Sequence, residues 1–557
     1  MTKGTPRRTG GRILVDQLLA NGVDRCFTVP GESFLAVLDA LHDSPEIDTV
    51  VCRQEGGVTY MADADGKMTG RPGIAFVTRG PGATNASAGV HVAFQDSTPM
   101  ILFVGDLARG DRDREGFQEI DMEAFFKPVA KWSARIDDAA RIPEYVARAF
   151  RVAMSGRPGP VVLSIPEDML RDEVEALDRP RVPPLAQPAD PGAIEALFAL
   201  LKDAASPIAI VGGADWSPCA GHHFAGFATR IGLPVAAAFR RQDAIRNYCP
   251  VYAGQLGYGP NPELSKRVRE ADLVIAVGAR LGESTMDGYT LITPDHPDQT
   301  LVHVHPDPNE LGRVYRTSLP ICADMKEFAE MCDEWDDPDL VPFSAGREAH
   351  QSWLDWSTPK PREGVALDLG PCVAAMREKL GDSAIICNGA GNFSGWWHRY
   401  WHYGDQPSQL APTSGTMGYG LPAAVAASLR FKDRPVVCVA GDGDFLMNGQ
   451  ELATAAANGT DLLVILVDNG TYGTIRMHQE RDYPDRQSAT ALGSGNPDFV
   501  QFAESFGGWG TRVETTDQFA PALDAAMDRK GIRLIHCLTD IEQITNATTL
   551  TALKSKA

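Results

Sequence analysis

Two short apolar runs, residues 436–440 and 462–467, leave this chain fewer folding options than anything else in it. Each is strand-length, rich in β-branched residues, and followed at once by glycine with an acid or amide. The first leads into Gly441-Asp442-Gly443 and the second into Asp468-Asn469-Gly470-Thr471. Residues 448–458, between them, carry a helical pattern that Gly459 is placed to end. Strand, helix and strand in this order form a β-α-β unit, whose right-handed crossover makes the strands parallel. Asp442 and Asn469 are then expected at the carboxyl ends of neighbouring strands, the edge where open α/β sheets bind ligands.

The same alternation recurs along the chain. Residues 49–52 and 74–78 read as strands in the first part, 207–212, 273–278 and 300–305 in the middle, and 383–387 ahead of the two runs above. A length of 557 residues is too great for one hydrophobic core. A Pro-rich stretch at 179–192 and an acidic, Pro-rich stretch at 333–361 divide it. The predicted fold class is α/β, with three tandem doubly wound parallel-sheet domains at residues 1–180, 192–335 and 362–557.

Composition removes several classes of function. A formal net charge of −21 argues against a nucleic-acid partner, which would need clustered Lys and Arg. The ten cysteines form no C-x-x-C pair and no metal-ligand spacing, so they read as small hydrophobes of a reducing compartment. Apolar runs stay far short of the ~20 residues of a membrane helix. Residues 1–11 lead into no apolar segment, so no signal peptide and a cytoplasmic location are expected.

The turn after residue 440 has a specific chemistry. Mg²⁺ prefers octahedral oxygen, usually one or two carboxylates completed by phosphate and water. Asp442 offers a carboxylate, Asn469 an amide oxygen and Thr471 a backbone carbonyl, while Gly441 and Gly443 let phosphate approach the backbone. G-D-G alone occurs in many ordinary turns. The separation of 27 residues between Asp442 and Asn469, with an apolar strand before each, is more specific. It resembles the diphosphate-binding motif of thiamine-diphosphate enzymes, and the resemblance extends to Tyr472 and Gly473. Asp468 stands where the motif carries a first Asn, and Asp444 where synthases of this family often carry Ser.

Further pieces match the same family. Arg53-Gln54-Glu55-Gly56-Gly57 after a strand, followed later by Thr78-Arg79-Gly80-Pro81-Gly82-Ala83-Thr84-Asn85, resembles its pyrimidine-binding domain. There Glu55 would hydrogen-bond the aminopyrimidine, and Pro81 and Asn85 would line that end. A carboxyl in an apolar pocket has a raised pKa and can share a proton with the ring. Thr413-Ser414-Gly415-Thr416-Met417-Gly418 matches the segment whose carbonyl, here of Gly415, accepts from the cofactor amine. Met417 would be the apolar wedge that bends the coenzyme. Gly389-Ala390-Gly391-Asn392-Phe393 matches a further diphosphate contact.

The resemblance is closest to the acetolactate (acetohydroxyacid) synthase group, through Gly116-Phe117-Gln118-Glu119, Ala130-Lys131-Trp132 and Ser155-Gly156-Arg157-Pro158-Gly159-Pro160-Val161. It implies a carboligase that joins a decarboxylated 2-oxo acid to a second carbonyl, acting as a homodimer or homotetramer, with Gln118 at the catalytic centre. A decarboxylase or a C–C hydrolase or lyase on another ketone is the alternative. Three positions depart from the biosynthetic pattern where substrate is expected: Glu32 for a Gly, Glu167 for a Lys and His478 for a Trp. Glu32, Ser33, His91, Phe117, Gln118 and His478 are the candidate substrate residues. Trp396-Trp397-His398 offers either an aromatic pocket or core packing. In the synthases the middle domain binds FAD. Gly212-Gly213, Ala323-Asp324 and Arg157 match that use, whereas His305, Glu283-Ser284 and the 239–243 segment depart from it, so FAD, ADP or no nucleotide remain open.

Overall fold

The computed structural model describes residues 6–337 and 341–555, so Pro338 and Asp339 of the acidic stretch lie outside the described residues. It contains three six-stranded sheets, each parallel throughout. Their inner strands are short, largely apolar runs buried on both faces, as a parallel sheet covered by crossover helices requires, while edge strands such as Asp48–Val51 and Trp132–Arg135 are partly exposed. Met100–Asp106 and Leu462–Asp468 are buried along all seven residues.

The first sheet runs Asp48–Val51, Arg25–Thr28, Gly73–Val77, Met100–Asp106, Pro160–Pro166, Trp132–Arg135. The third runs Gln409–Leu410, Ile385–Asn388, Val436–Gly441, Leu462–Asp468, Ile532–Leu538, Trp509–Val513. Numbered in chain order within each sheet, both have the arrangement 2-1-3-4-6-5. The central sheet runs Tyr252–Gln255, Val235–Ala237, Pro207–Val211, Leu273–Val277, Thr300–His305, Leu319–Cys322. Its arrangement is 3-2-1-4-5-6, that of dinucleotide-binding folds. In each sheet the order reverses between strand 1 and its neighbour on the far side, which opens a crevice at the carboxyl edge.

The helices begin where side chains can take up free N–H groups. Asp190, Ser217 and Asp324 each cap a helix of the central domain through a side-chain oxygen. One expected helix is built differently. In place of a single helix over 448–458 there is a 3-10 turn, Gly449–Glu451, and then Leu452–Ala457. Asn448 is withdrawn from it because its amide donates to the Gly418 carbonyl at 3.0 Å. Gly459 follows with φ +58, the left-handed backbone that ends the helix.

The chain forms two compact units. One comprises Met1–Leu185 with Val425–Arg430 and Gln450–Gly459, and the other Ala186–Ala424, Phe431–Gly449 and Thr460–Ala557. Within the first unit Arg430 pairs with Asp24 and Asp65, and Glu451 accepts from the N–H of Arg53. No helix among the described residues is long and apolar enough to cross a membrane.

Candidate functional site

In the third sheet Val436–Gly441 lies between Ile385–Asn388 and Leu462–Asp468, so the segments after these strands share one edge. The chain passes from the first of these strands into a single helical turn, Asp442–Phe445, that buries Asp442 and Asp444. On the neighbouring strand's end, the Asn469 Oδ1 accepts from the N–H of Thr471 at 3.2 Å. Thr471 is itself pinned, its hydroxyl donating to the Thr490 carbonyl at 2.8 Å. Asp442 and Asn469 therefore stand on adjacent strand ends, as their spacing predicts.

The charges there are crowded. Asn496 donates to Asp442 Oδ2 at 2.9 Å and, more weakly, to Asp468 Oδ1 at 3.4 Å. His536 holds the other Asp468 oxygen at 2.9 Å. Burial, with repulsion from Asp468, pushes the Asp442 carboxyl up to about 6 despite the Asn496 bond. Burial acts upward on Asp468 too, but the bonds from His536 and the Gly470 N–H outweigh it and hold the carboxyl below its usual range. The Asp442 carboxylate, the Asn469 amide oxygen and the Thr471 carbonyl are all oxygen donors, the kind a hard divalent cation takes.

Asp444 has a structural task. Its Oδ1 accepts from the N–H of Ala390 at 3.1 Å and of Gly418 at 2.9 Å, which ties together the two loops that flank the turn. Its Oδ2 is buried without a hydrogen-bond partner. Burial raises this carboxyl to about 7. A Cβ at position 389 would lie 2.1 Å from Asp444 Oδ1, so Asp at 444 requires Gly at 389. The loop carrying Gly415, with φ +69, and a half-buried Met417 is thus held at the same edge. Tyr472 packs over Gly443, where an added Cβ would come within 2.6 Å of the ring. Two of the expected contact residues also have partners within the protein. Asn392 accepts from the Thr474 hydroxyl and donates to the Ile544 carbonyl, and Phe393 belongs to the apolar core.

In the first unit Glu55 begins the helix Glu55–Thr69, which Gln54 caps by accepting from Gly57. The amide of Asn85 donates to Glu55 Oε2 at 3.0 Å, and Gly82 lies beside the other carboxyl oxygen. Pro81 is the first residue of the helix that carries Asn85. Sequence reasoning missed Glu451. This fully buried carboxylate accepts from the Arg53 N–H at 3.1 Å and the Thr454 hydroxyl at 2.6 Å, and so fixes the start of the Glu55 helix. Burial raises its pKa. Nothing in the local pattern marks it, because its partner lies almost four hundred residues away.

The substrate candidates divide. Glu32, Ser33, Phe117 and Gln118 gather at the first sheet's crevice around Thr78 and Arg79, the latter also unremarked in the sequence. Ser33 and Thr78 share a hydroxyl hydrogen bond of 2.8 Å. Arg79 donates through Nε to the Phe117 carbonyl at 3.1 Å and pairs with Glu167 and Glu32. Gln118 is left-handed at φ +64, and a Cβ on Gly80 would meet its carbonyl at 2.6 Å. His91 and His478 are instead exposed on the helices Pro81–Asp96 and Gly473–Asp482. Trp396 and Trp397 are buried in the core of the third domain.

In the central domain the 239–243 segment spends its polar groups on protein. Arg240 donates to the Pro412 carbonyl at 2.6 Å, Gln242 to the His398 carbonyl at 2.9 Å, and Asp243 accepts from Ser408 and Gln409. His305 is buried and held neutral, its pKa lowered to about 4 by desolvation and by His303. Its Nδ1 accepts from the Asp307 N–H. Arg157, in the first unit, donates to Ser97 and to the Phe94 carbonyl.

Three family models match the chain, each over a range that holds most strands of one sheet. Residues 8–125 match the N-terminal TPP binding domain of thiamine pyrophosphate enzymes, 194–332 the central domain, and 389–537 the C-terminal TPP binding domain. The acetolactate synthase large subunit of Parasynechococcus marenigrum is 33% identical over 532 residues, 93% of this chain and 85% of that protein. The acetolactate synthase of Bacillus subtilis is 30% identical, over 97% of this chain and 96% of its own length. The isozyme 2 large subunit of Escherichia coli is 28% identical, over 95% of each. Sheet order, the acid-and-amide strand ends and near full-length similarity agree: this chain belongs to the thiamine pyrophosphate enzymes, in the acetolactate synthase family.

Proposed function

We propose that this enzyme is a carboligase that joins a decarboxylated 2-oxo acid to a second carbonyl compound, using thiamine diphosphate and Mg²⁺. The observation that carries the reading is the pairing of Asp442 and Asn469 on adjacent strand ends with Asp468 crowding them. Asp442, Asn469 and the Thr471 carbonyl would hold the cation, and the Gly441–Gly443 turn would face the diphosphate. Glu55, oriented by Asn85, would hold a proton at the aminopyrimidine ring. The Gly415 carbonyl would accept from the ring amine, and Met417 would press the coenzyme into its bent form. When bound, the coenzyme supplies the electron sink for chemistry beside a carbonyl, while the protein supplies orientation and a dry site.

A homodimer or homotetramer is part of this reading, as is a cytoplasmic enzyme with small-molecule substrates. The central sheet's dinucleotide-type order supports a nucleotide ligand. FAD, ADP and an empty domain are told apart by mass spectrometry of what the denatured protein releases. The decisive experiment is product analysis with a panel of 2-oxo acids, thiamine diphosphate and Mg²⁺. Acetolactate or a homologous hydroxy-oxo acid is the expected product. Aldehyde and CO2 without any ligated product would replace the reading with that of a decarboxylase.

A further inference from the structure

The segment that brings Gly82 against Glu55 also carries Arg79, three residues earlier, whose carbonyl accepts from the Gly82 N–H at 3.2 Å. The Arg79 guanidinium lies at the crevice of the first sheet, at the end of Gly73–Val77 and beside the turn after Arg25–Thr28. It is 7% exposed. Three groups from three other segments hold it: the Phe117 carbonyl on Nε at 3.1 Å, Glu167 on Nη1 at 3.3 Å and Glu32 on Nη2 at 3.5 Å.

These three contacts are unequal. The Phe117 bond is to backbone, and the Glu167 side chain is only 28% exposed, so both are fixed parts of the cradle. The Glu32 side chain is 57% exposed and makes the longest contact. An exposed ion pair of this length contributes little, and a small anion can displace it. A guanidinium N–H donates a strong, charge-assisted hydrogen bond to a carboxylate oxygen, and Nη2 is the Arg79 donor whose present partner can be exchanged for one. The surroundings are polar and partly unsatisfied: Ser33 and Thr78 share a hydroxyl bond beside it, and Gln118 Oε1 is buried without a partner.

We infer that Arg79 is the carboxylate-binding residue for a 2-oxo acid substrate, and that Glu32 occupies its outer nitrogen until the substrate carboxylate replaces it. The inference rests on the carboligase reading for the location of the substrate. Glu167 neutralises Arg79 enough to keep it folded in place. Glu32 adds a second negative charge that opposes anionic substrates, so it sets a threshold for binding them. An uncharged aldehyde, which has no carboxylate to place, does not compete with it.

The test compares binding of pyruvate, larger 2-oxo acids and acetaldehyde to the wild-type holoenzyme, E32Q, E167Q and R79K, by saturation-transfer NMR, with steady-state kinetics alongside. E32Q is expected to tighten binding of the 2-oxo acids by about tenfold, the release of roughly 1.4 kcal/mol of repulsion, and to leave acetaldehyde unchanged. R79K, which keeps the charge but loses the fork, is expected to weaken the 2-oxo acids alone. E167Q checks that any gain is specific to the exposed partner, since it should destabilise the fold without tightening binding. Unchanged or weaker 2-oxo acid binding in E32Q, or equal tightening of acetaldehyde, overturns the inference. A wild-type enzyme that binds 2-oxo acids through Arg79 but ligates none would sink the carboligase reading and leave this one standing.

Discussion

The first and third sheets have the same strand order and opposite chemistry at their carboxyl edges. At the crevice of the first, a buried guanidinium meets two carboxylates, so charge is largely neutralised by the chain itself. At the third, Asp442 and Asp468 share one amide, and His536 holds the other Asp468 oxygen. Topology determines which edge a ligand can use, because parallel strands bring all their carboxyl ends to one side of the sheet. The side chains decide what the crevice accepts. The first presents one fixed cation and a displaceable anion; the third presents crowded carboxylates.

The sharpest break in this comparison is Asp442→Ala. Removing the central oxygen donor should abolish Mg²⁺-dependent coenzyme binding, measured by calorimetry, while the fold survives because a crowded carboxylate has been relieved. Retained Mg²⁺-dependent affinity would mean that the cation is held elsewhere. Next comes Glu55→Gln, which should fold and bind coenzyme but lose about 10²–10⁴ in kcat, the usual contribution of a positioned proton-transfer group. Near-normal turnover in this variant would remove its assigned role.

Glu451→Ala should act on the first unit alone. It strips a buried acceptor from the Arg53 N–H and the Thr454 hydroxyl, a loss of about 1–3 kcal/mol in stability. Thermal unfolding should register the loss, with kcat falling as the Glu55 helix start loosens. Replacement by Gln, which keeps an oxygen acceptor, should recover part of both. If the variant unfolds at the wild-type temperature, the brace is not where the Glu55 helix gets its order.

Acid acts through buried histidines. Burial lowers His398 and His402 to about 3, with Arg240 and Arg377 respectively acting in the same direction, and desolvation lowers His305 to about 4. All three belong to the unit that holds the central and third sheets. Below the ordinary value of about 6.5 the unfolded chain binds protons that the folded unit refuses, so stability is lost as pH falls from 6.5 toward 3–4. Calorimetry between pH 7 and 4.5 should show the melting temperature falling, and His398→Phe should flatten that slope. An unaltered slope would assign acid sensitivity to other groups.

Legibility in the sequence followed the range of the interaction. Asp442, Asn469 and the two strands before them were readable because one β-α-β unit contains them all. Glu55 and the turn at 78–85 were readable through the match to a familiar motif. Arg79 stood inside that motif without notice, since its partners at 32, 117 and 167 come from three other loops. Asn496, which bridges the two carboxylates, and Glu451, which braces the Glu55 helix, carry no local mark at all. Asp444 ties two loops together through the N–H groups of Ala390 and Gly418, partners 54 and 26 residues away that carry no local mark.

From sequence alone came the class of fold, the coenzyme family and the short-range geometry of each strand end, because β-strand periodicity, glycine turns and acid–amide spacing act over tens of residues. Only the tertiary structure decided the shared 2-1-3-4-6-5 order, the cradle around Arg79 and the assignment of residues 450–459 to the first unit. These depend on which distant segments come to lie side by side, and burial then turns ordinary carboxylates and guanidinium groups into specific ones by forcing each to find its partner across the chain.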